Sequence, residues 1–191
     1  MDQKKLSADI ARFWINENAV IIDTETTGLD DTAEIVEIAI IDCQGKTLLD
    51  SFVKPRKAEI SPEAYAVHGI SESAVENAPS FRDLSFHIAR VCAETPVVMY
   101  NSAFDMRLMN QSAAAHGIVL PTLSTACAMK AYARFYGMHD PKRKGWKWQS
   151  LENAAAQQGI TIEGRAHSAL TDCRTTLKVI QAMAAYQPEV A

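Results

Sequence analysis

A chain of 191 residues with 48% apolar and 22% charged side chains fits one globular domain and is excluded from the disordered and fibrous classes. Nineteen Lys and Arg against 23 Asp and Glu leave a formal charge of −4, so the chain lacks the broad basic surface of a protein that coats a polyanion, and any such grip is local. No run of about eighteen apolar residues occurs, which excludes a membrane-spanning helix, and the mixed opening MDQKKLSADIARFW lacks the apolar stretch and cleavage site of a secretory signal, so a cytoplasmic location is expected.

In chain order, an amphipathic helix is expected over residues 6–14, then a buried strand over 19–22 that delivers Asp23. Strands at 34–42 and 47–54 flank a hairpin turn at Gln44-Gly45, which makes the first three strands antiparallel. A loop through Ser61-Pro62 leads to a helix at 79–93, a strand at 97–100 and a helix at 104–116. A weak strand near 123–125 precedes a helix at 126–136, a basic loop, a helix at 149–157 and a last helix from 169 to 186. The switch from hairpins to alternating strand and helix predicts parallel additions to the sheet with helices on both faces. Cys43, Cys92, Cys127 and Cys173 are scattered without a CxxC pair, and reduced, mostly buried thiols are expected.

Chemistry-bearing residues gather at three points. The first, Asp23-Thr24-Glu25-Thr26-Thr27-Gly28-Leu29, follows the buried strand. Side chains at i and i+2 of a strand share a face, so Asp23 and Glu25 point to one side. Two carboxylates so close repel, and a divalent cation would relieve the repulsion; taken alone, the segment also reads as a solvated turn rich in Asp and Thr. The second, Asn101-Ser102-Ala103-Phe104-Asp105, opens a helix. Asp105 there serves either as a partner of the helix dipole or as a carboxylate converging from a second central strand on Asp23. Phe104 is either a core side chain or a face on which a base stacks. The third, His167-Ser168-Ala169-Leu170-Thr171-Asp172, enters the last helix. A lone histidine reads as a satisfied surface or core residue, but this one shares its segment with an acid, and a loop position leaves it free to take a proton from water.

Taken in order, Asp23, Glu25, Asp105, His167 and Asp172, carried by VIIDTETTGLD, YNSAFD and HSALTD, resemble the DEDDh (DnaQ-like) 3′→5′ exonuclease family over about residues 20–183, with VHGIS at 67–71 as a softer landmark. The resemblance implies an α/β, ribonuclease H-like fold: a five-stranded mixed sheet, three antiparallel strands and then parallel additions, flanked by helices. It also implies hydrolysis with two Mg2+ or Mn2+ ions. In that scheme Asp23 bridges both, Glu25 and Asp172 hold the first, Asp105 helps to hold the second mainly through water, and His167 is general base toward the attacking water. An all-oxygen ligand set suits magnesium or manganese, whereas zinc prefers nitrogen and sulfur. The backbone of Thr26 and Thr27, the Leu29 side chain, Asn101 and Phe104 resemble family positions that meet the substrate. His68 resembles a residue near the terminal phosphate, with a buried loop histidine as the alternative. Tyr100 stands where many members carry histidine.

The resemblance further implies a substrate of nucleic acid with single-stranded or frayed 3′ ends, DNA placed ahead of RNA, cut to nucleoside 5′-monophosphates in proofreading, repair or end-trimming. A 3′→5′ exoribonuclease is the alternative and a non-catalytic nucleic-acid-binding module a remote one. Residues 1–18 are expected as a helical extension packed on the exonuclease domain at 19–187. Phe13 and Trp14 would either pack there or dock a partner such as a polymerase or repair complex. The segment 140–148, with Lys142, Arg143, Lys144, Trp146, Lys147 and Trp148, reads as a grip on a single strand or as a solvated basic loop.

Overall fold

The computed structural model describes residues 2–142, 144–165 and 167–188, which leaves Arg143 of the basic segment outside the described residues. Its main sheet consists of β1 (Val20–Thr26), β2 (Ile35–Asp42), β3 (Thr47–Phe52), β4 (Val97–Met99) and β5 (Thr125–Cys127), in the order β3-β2-β1-β4-β5. β1, β2 and β3 pair antiparallel, and β1, β4 and β5 pair parallel, as expected from the hairpins followed by strand and helix alternation. The helices are α1 (Gln3–Asn16), α2 (Pro62–His68), α3 (Glu72–Val75), α4 (Phe81–Cys92), α5 (Ser102–Ala115), α6 (Ala128–Tyr136), α7 (Leu151–Gln157) and α8 (Ala169–Ala184). A two-stranded hairpin, β6 (His139–Asp140) and β7 (Gly145–Trp146), lies between α6 and α7.

The sheet is apolar on both faces because both are covered, which is why β1 and β2 read as nearly continuous apolar runs. Ile21, Ala39 and Ile41 pack on one face with Trp14 of α1, Tyr132 and Phe135 of α6, and Ile180 and Met183 of α8. Val20, Ile22 and Ile40 pack on the other with Phe81 and Ile88 of α4 and Leu108 and Met109 of α5. Trp14 is thus a core residue of its own domain, while Phe13 beside it is 53% exposed. All four cysteines are free thiols, and Cys43, Cys92 and Cys173 are buried. Among the described residues no helix is long and apolar enough to cross a membrane.

Several local expectations change. Residues 62–68, in a stretch expected as loop, form α2: Ser61 Oγ accepts from the Ala64 N–H, Pro62 opens the helix, and Gly69 closes it at φ +65°. His68 is therefore the last residue of a helix and not a loop residue. β5 and α6 both begin two residues later than expected, because pairing of Thr125–Cys127 with Val97–Met99 keeps those residues extended. The basic loop contains the hairpin β6–β7, whose two-residue strands are too short to show a period.

Long-range polar contacts tie the loops around this frame. Buried Glu34 accepts from the backbone N–H groups of Arg56, Lys57 and Ala58, fixing the connection from β3 to α2. The guanidinium groups of Arg56 and Arg82 donate to the Ala115 and His116 carbonyls, placing cations at the negative end of α5.

Candidate active site

Strand alternation puts Asp23 and Glu25 on the same face of β1 as Ile21, the face that α8 covers. Asp172 lies in the first turn of α8 and so comes to them from that layer. Asp105 arrives from the opposite layer, because α5 starts at the end of β4, beside β1; it is 4% exposed. Thr24, which points to the α5 side of β1, donates its hydroxyl to Asp105 Oδ1 at 3.0 Å and fixes that carboxyl. Beyond Glu25 the ladder slips: Glu25 faces Glu37 but Thr26 faces Ile35, so Val36 is an extra residue in β2 and the pairing bends at the site.

His167 is reached through a tight segment. Gly164 has φ +110°, and a Cβ there would stand 2.8 Å from Thr171 Oγ1, so only glycine fits. His167 itself has φ +56°, a left-handed conformation uncommon for a non-glycine residue. One ligand atom from each of Glu25, His167 and Asp172 lies within 4.8 Å of the others. Asp23 and Asp105 adjoin this trio closely enough to repel it: Asp23 is held well above the usual carboxylate range by burial and then by the charges of Asp105, Asp172, Glu25 and Glu37. Burial, followed by Asp172, Glu37 and Asp105, pushes Glu25 up to about 8. Burial also raises Asp105 to about 7, against the Thr24 hydrogen bond, and Asp172 to about 6, against the nearby His167.

Two members of this constellation were missed by the sequence reading. Glu37 lies directly across the ladder from Glu25, and its carboxylate accepts from the Ala169 N–H at 3.1 Å and the Ser168 hydroxyl at 3.4 Å. It supplies the N-terminal cap that Ser168 does not make, and so holds the turn of α8 that carries Asp172. Arg165 is the cation whose field lowers both Glu25 and Glu37. Nothing local marks either residue; the β1–β2 register brings in Glu37, and Arg165 follows the turn at Gly164.

A cavity of about 510 Å³ opens beside Glu25, lined among others by Thr26, Gly28, Leu29, Ser61, His68 and Phe104. Leu29, 76% exposed, forms its lip. The loop behind Leu29 is held from α5: Arg107 donates to the Leu29 and Asp30 carbonyls, and Gln111 to those of Asp30 and Ala33. The Arg107 guanidinium lies 5.4 Å from the centre of the Phe104 ring. Both His68 nitrogens are occupied, Nε2–H donating to the Thr26 carbonyl at 3.1 Å and Nδ1 accepting from the Ile70 N–H at 3.0 Å; burial lowers its pKa and keeps it neutral. Thr27 turns away from the cavity, its N–H on the Glu34 carbonyl and its own carbonyl on the Ser61 N–H. Asn101 is exposed, makes no side-chain cap on α5 and does not line the cavity. Tyr100 is buried, its hydroxyl shared between the Gln149 and Ser150 carbonyls at 3.1 Å each.

The profile of the Exonuclease family matches residues 20–180, a span that contains all five of these carboxylates and His167. The chain belongs to the exonuclease family. It is 44% identical to an uncharacterized exonuclease of Escherichia phage 186 over 181 residues, covering 91% of this chain and 92% of that one. It is 26% identical to the DNA polymerase III subunit epsilon of Escherichia coli K12 over 186 residues, covering 90% and 73%. Among solved structures it is similar to exonuclease X in complex with 5′ overhanging duplex DNA, with 31% identity and a TM-score of 0.64 over 86% of this chain and 90% of that one.

The exonuclease's oxygen-rich donors suit a hard divalent cation, which would replace mutual repulsion with shared attraction. The carboxyl pKa values give this a measurable form. Glu25, Asp105 and Asp172 rise from ordinary values of 4.5, 3.8 and 3.8 to about 8, 7 and 6. Their folded values lie above their unfolded ones, so the stability they give is fully present below the ordinary values and is lost as pH rises through the folded ones. In chelator, the exonuclease's melting temperature is therefore expected to fall from about pH 6.5 to about pH 8.5. Added Mg2+ is expected to raise it, and by more at the higher pH. Scanning calorimetry at the two pH values checks this; an Mg2+ increment that does not grow with pH would remove the carboxylates as its cause.

Proposed function

We propose that this exonuclease removes nucleoside 5′-monophosphates one at a time from the 3′ ends of DNA. One observation carries the reading: Asp23, Glu25, Asp105, Asp172 and His167, from three separate stretches of the chain, converge from both layers of the sheet beside a cavity of about 510 Å³ lined by Glu25, Leu29 and Phe104. The similarity to exonuclease X, whose structure holds duplex DNA, and to a DNA polymerase III subunit supports DNA as the substrate. Residues 19–187 would be the catalytic unit, with residues 1–18 as an extension packed on it.

In this reading Asp23, Glu25, Asp105 and Asp172 hold two Mg2+ or Mn2+ ions, which supply the positive charge that stabilises the attacking and leaving oxygens of an in-line displacement. The chain's own groups do the rest. Leu29 and Phe104 receive the terminal nucleoside, the aromatic face stacking on a base of any identity, so the enzyme acts on ends without regard to sequence. His167 takes a proton from water as its oxygen bonds to phosphorus. The bond from phosphorus to the 3′ oxygen of the penultimate nucleotide breaks, that oxygen leaves with a proton from solvent, and the shortened strand is ready for the next cycle. Glu37 positions the start of α8 through Ser168 and Ala169, and Arg165 offsets the charge of Glu25 and Glu37; neither touches the substrate. His68 props the Thr26 carbonyl and shapes the cavity wall.

Matched 5′-labelled single-stranded DNA and RNA oligonucleotides, digested with Mg2+ and with chelator, test the reading. The expected result is a metal-dependent ladder that shortens from the 3′ end, faster on DNA. Faster shortening of RNA would transfer the activity to an exoribonuclease, and label released first as a mononucleotide would reverse the direction of attack.

A further inference from the structure

The hairpin between α6 and α7 has no part in the chemistry above, yet it is built and anchored. Lys147 N–H donates to the Met138 carbonyl at 2.8 Å, His139 pairs with Trp146 and meets its ring edge-on at 6.4 Å, and Asp140 pairs with Gly145. At the tip, Asp140 Oδ1 accepts from the Lys142 N–H, and Lys144 turns the chain with φ +51°. The foot is pinned by the Tyr100 hydroxyl on the Gln149 and Ser150 carbonyls and by buried Gln149, which donates to the Lys147 carbonyl and accepts from Gln157. Ser150 then caps α7, which packs on α8, the helix that carries Asp172.

That sequence of contacts places the hairpin relative to the cavity. Glu25 lines the cavity, a ligand atom of Asp172 lies within 4.8 Å of one of Glu25, and α7, which follows the hairpin's foot, packs on α8, the helix of Asp172; among the described residues no cavity-lining residue comes from 137–152. The carboxylates therefore adjoin the cavity at Glu25 and connect through α8 and α7 to the hairpin's foot. A strand whose last nucleotide fills the cavity and whose scissile phosphate meets the carboxylates continues toward the hairpin. There Lys142, Lys144 and Lys147 are exposed, on a chain whose formal charge is −4, and Trp148 is 45% exposed at the foot. Lys144 at the turn and Lys147 past the end of β7 are three residues apart, a span of at most roughly 10 Å, or about three nucleotide steps of a stacked strand.

We propose that the hairpin is a phosphate-binding arm, on which Lys147, Lys144 and Lys142 hold the backbone of the single strand as it leaves the active site, upstream of the scissile bond. The inference rests on the exonuclease reading for the direction of the strand. It makes the arm a determinant of affinity for long substrates and irrelevant to the chemical step.

The test compares wild type with the K142A/K144A/K147A variant on a single strand of about twenty nucleotides and on a trinucleotide too short to reach the arm, in Mg2+ over a range of salt. Three phosphate contacts to a single strand predict a slope of log KM against log salt lower by about 2 in the variant. KM for the long strand is expected to rise about tenfold at low salt, with kcat and trinucleotide turnover unchanged. A long-strand KM and slope equal to wild type would overturn the arm. So would an equal slowing on the trinucleotide, which would place the lysines' effect in the fold of the site. If wild type cleaves neither substrate, the exonuclease reading fails by itself, and the salt slope of uncleaved-strand binding in chelator still decides the arm.

Discussion

Asp23→Asn is expected to cut turnover by roughly 10³-fold or more while raising the melting temperature of the metal-free protein. The two halves have one cause. Asp23 is the carboxylate on which the charges of Asp105, Asp172, Glu25 and Glu37 all act. With no cation present, an ionised Asp23 adds to that repulsion, and the amide keeps its shape without the charge. For a domain of this size each kcal/mol recovered is worth about 2–4 °C. The same change deprives the site of its central anion, and with it the several kcal/mol of charge stabilisation that a bound divalent cation provides in the displacement. Calorimetry in chelator at about pH 8, with turnover on labelled DNA in Mg2+, reads both halves. A variant that loses activity and also melts lower would make Asp23 a structural residue and not the hub of a cation site.

His167→Ala is expected to lower kcat by about 10²–10⁴-fold, the range for loss of a general base, with KM little changed. The geometry offers His167 a second role, because its ring nitrogen lies in the same 4.8 Å cluster as Glu25 and Asp172. The two roles separate in one titration. A base that only moves protons leaves the Mg2+ midpoint for thermal stabilisation where wild type has it, whereas a ligand shifts that midpoint upward. A shifted midpoint with kcat restored at saturating Mg2+ would assign His167 to the cation and leave the proton to another group. Its left-handed backbone, behind a glycine that no other residue can replace, favours a role that needs one fixed ring position.

Much of the site was legible because each of its motifs is local. Asp23 and Glu25 share a face by strand period alone, Asp105 falls at a strand-to-helix junction, and His167 and Asp172 flank a helix start. The mixed pairing of the sheet, antiparallel and then parallel, followed from where hairpins give way to alternating strands and helices. The boundaries that moved did so for nearby reasons: Ser61, Pro62 and Gly69 were helix punctuation already present in the sequence.

What the sequence by itself determined is four of the carboxylates, the histidine, the antiparallel and then parallel pairing of the strands and the faces they present, because these depend on periods of two and 3.6 and on end signals within a few residues. The tertiary structure decided what those residues meet. Glu37 caps a helix about 130 positions away only because β2 pairs with β1 in one register and α8 packs on that face. Thr24 reaches Asp105 and Tyr100 reaches Gln149 through packing between layers, which also turns Thr27 away from the cavity and closes both nitrogens of His68. Such contacts depend on register and on the docking of distant elements, and a one-residue slip in either would change every partner while leaving the local pattern intact.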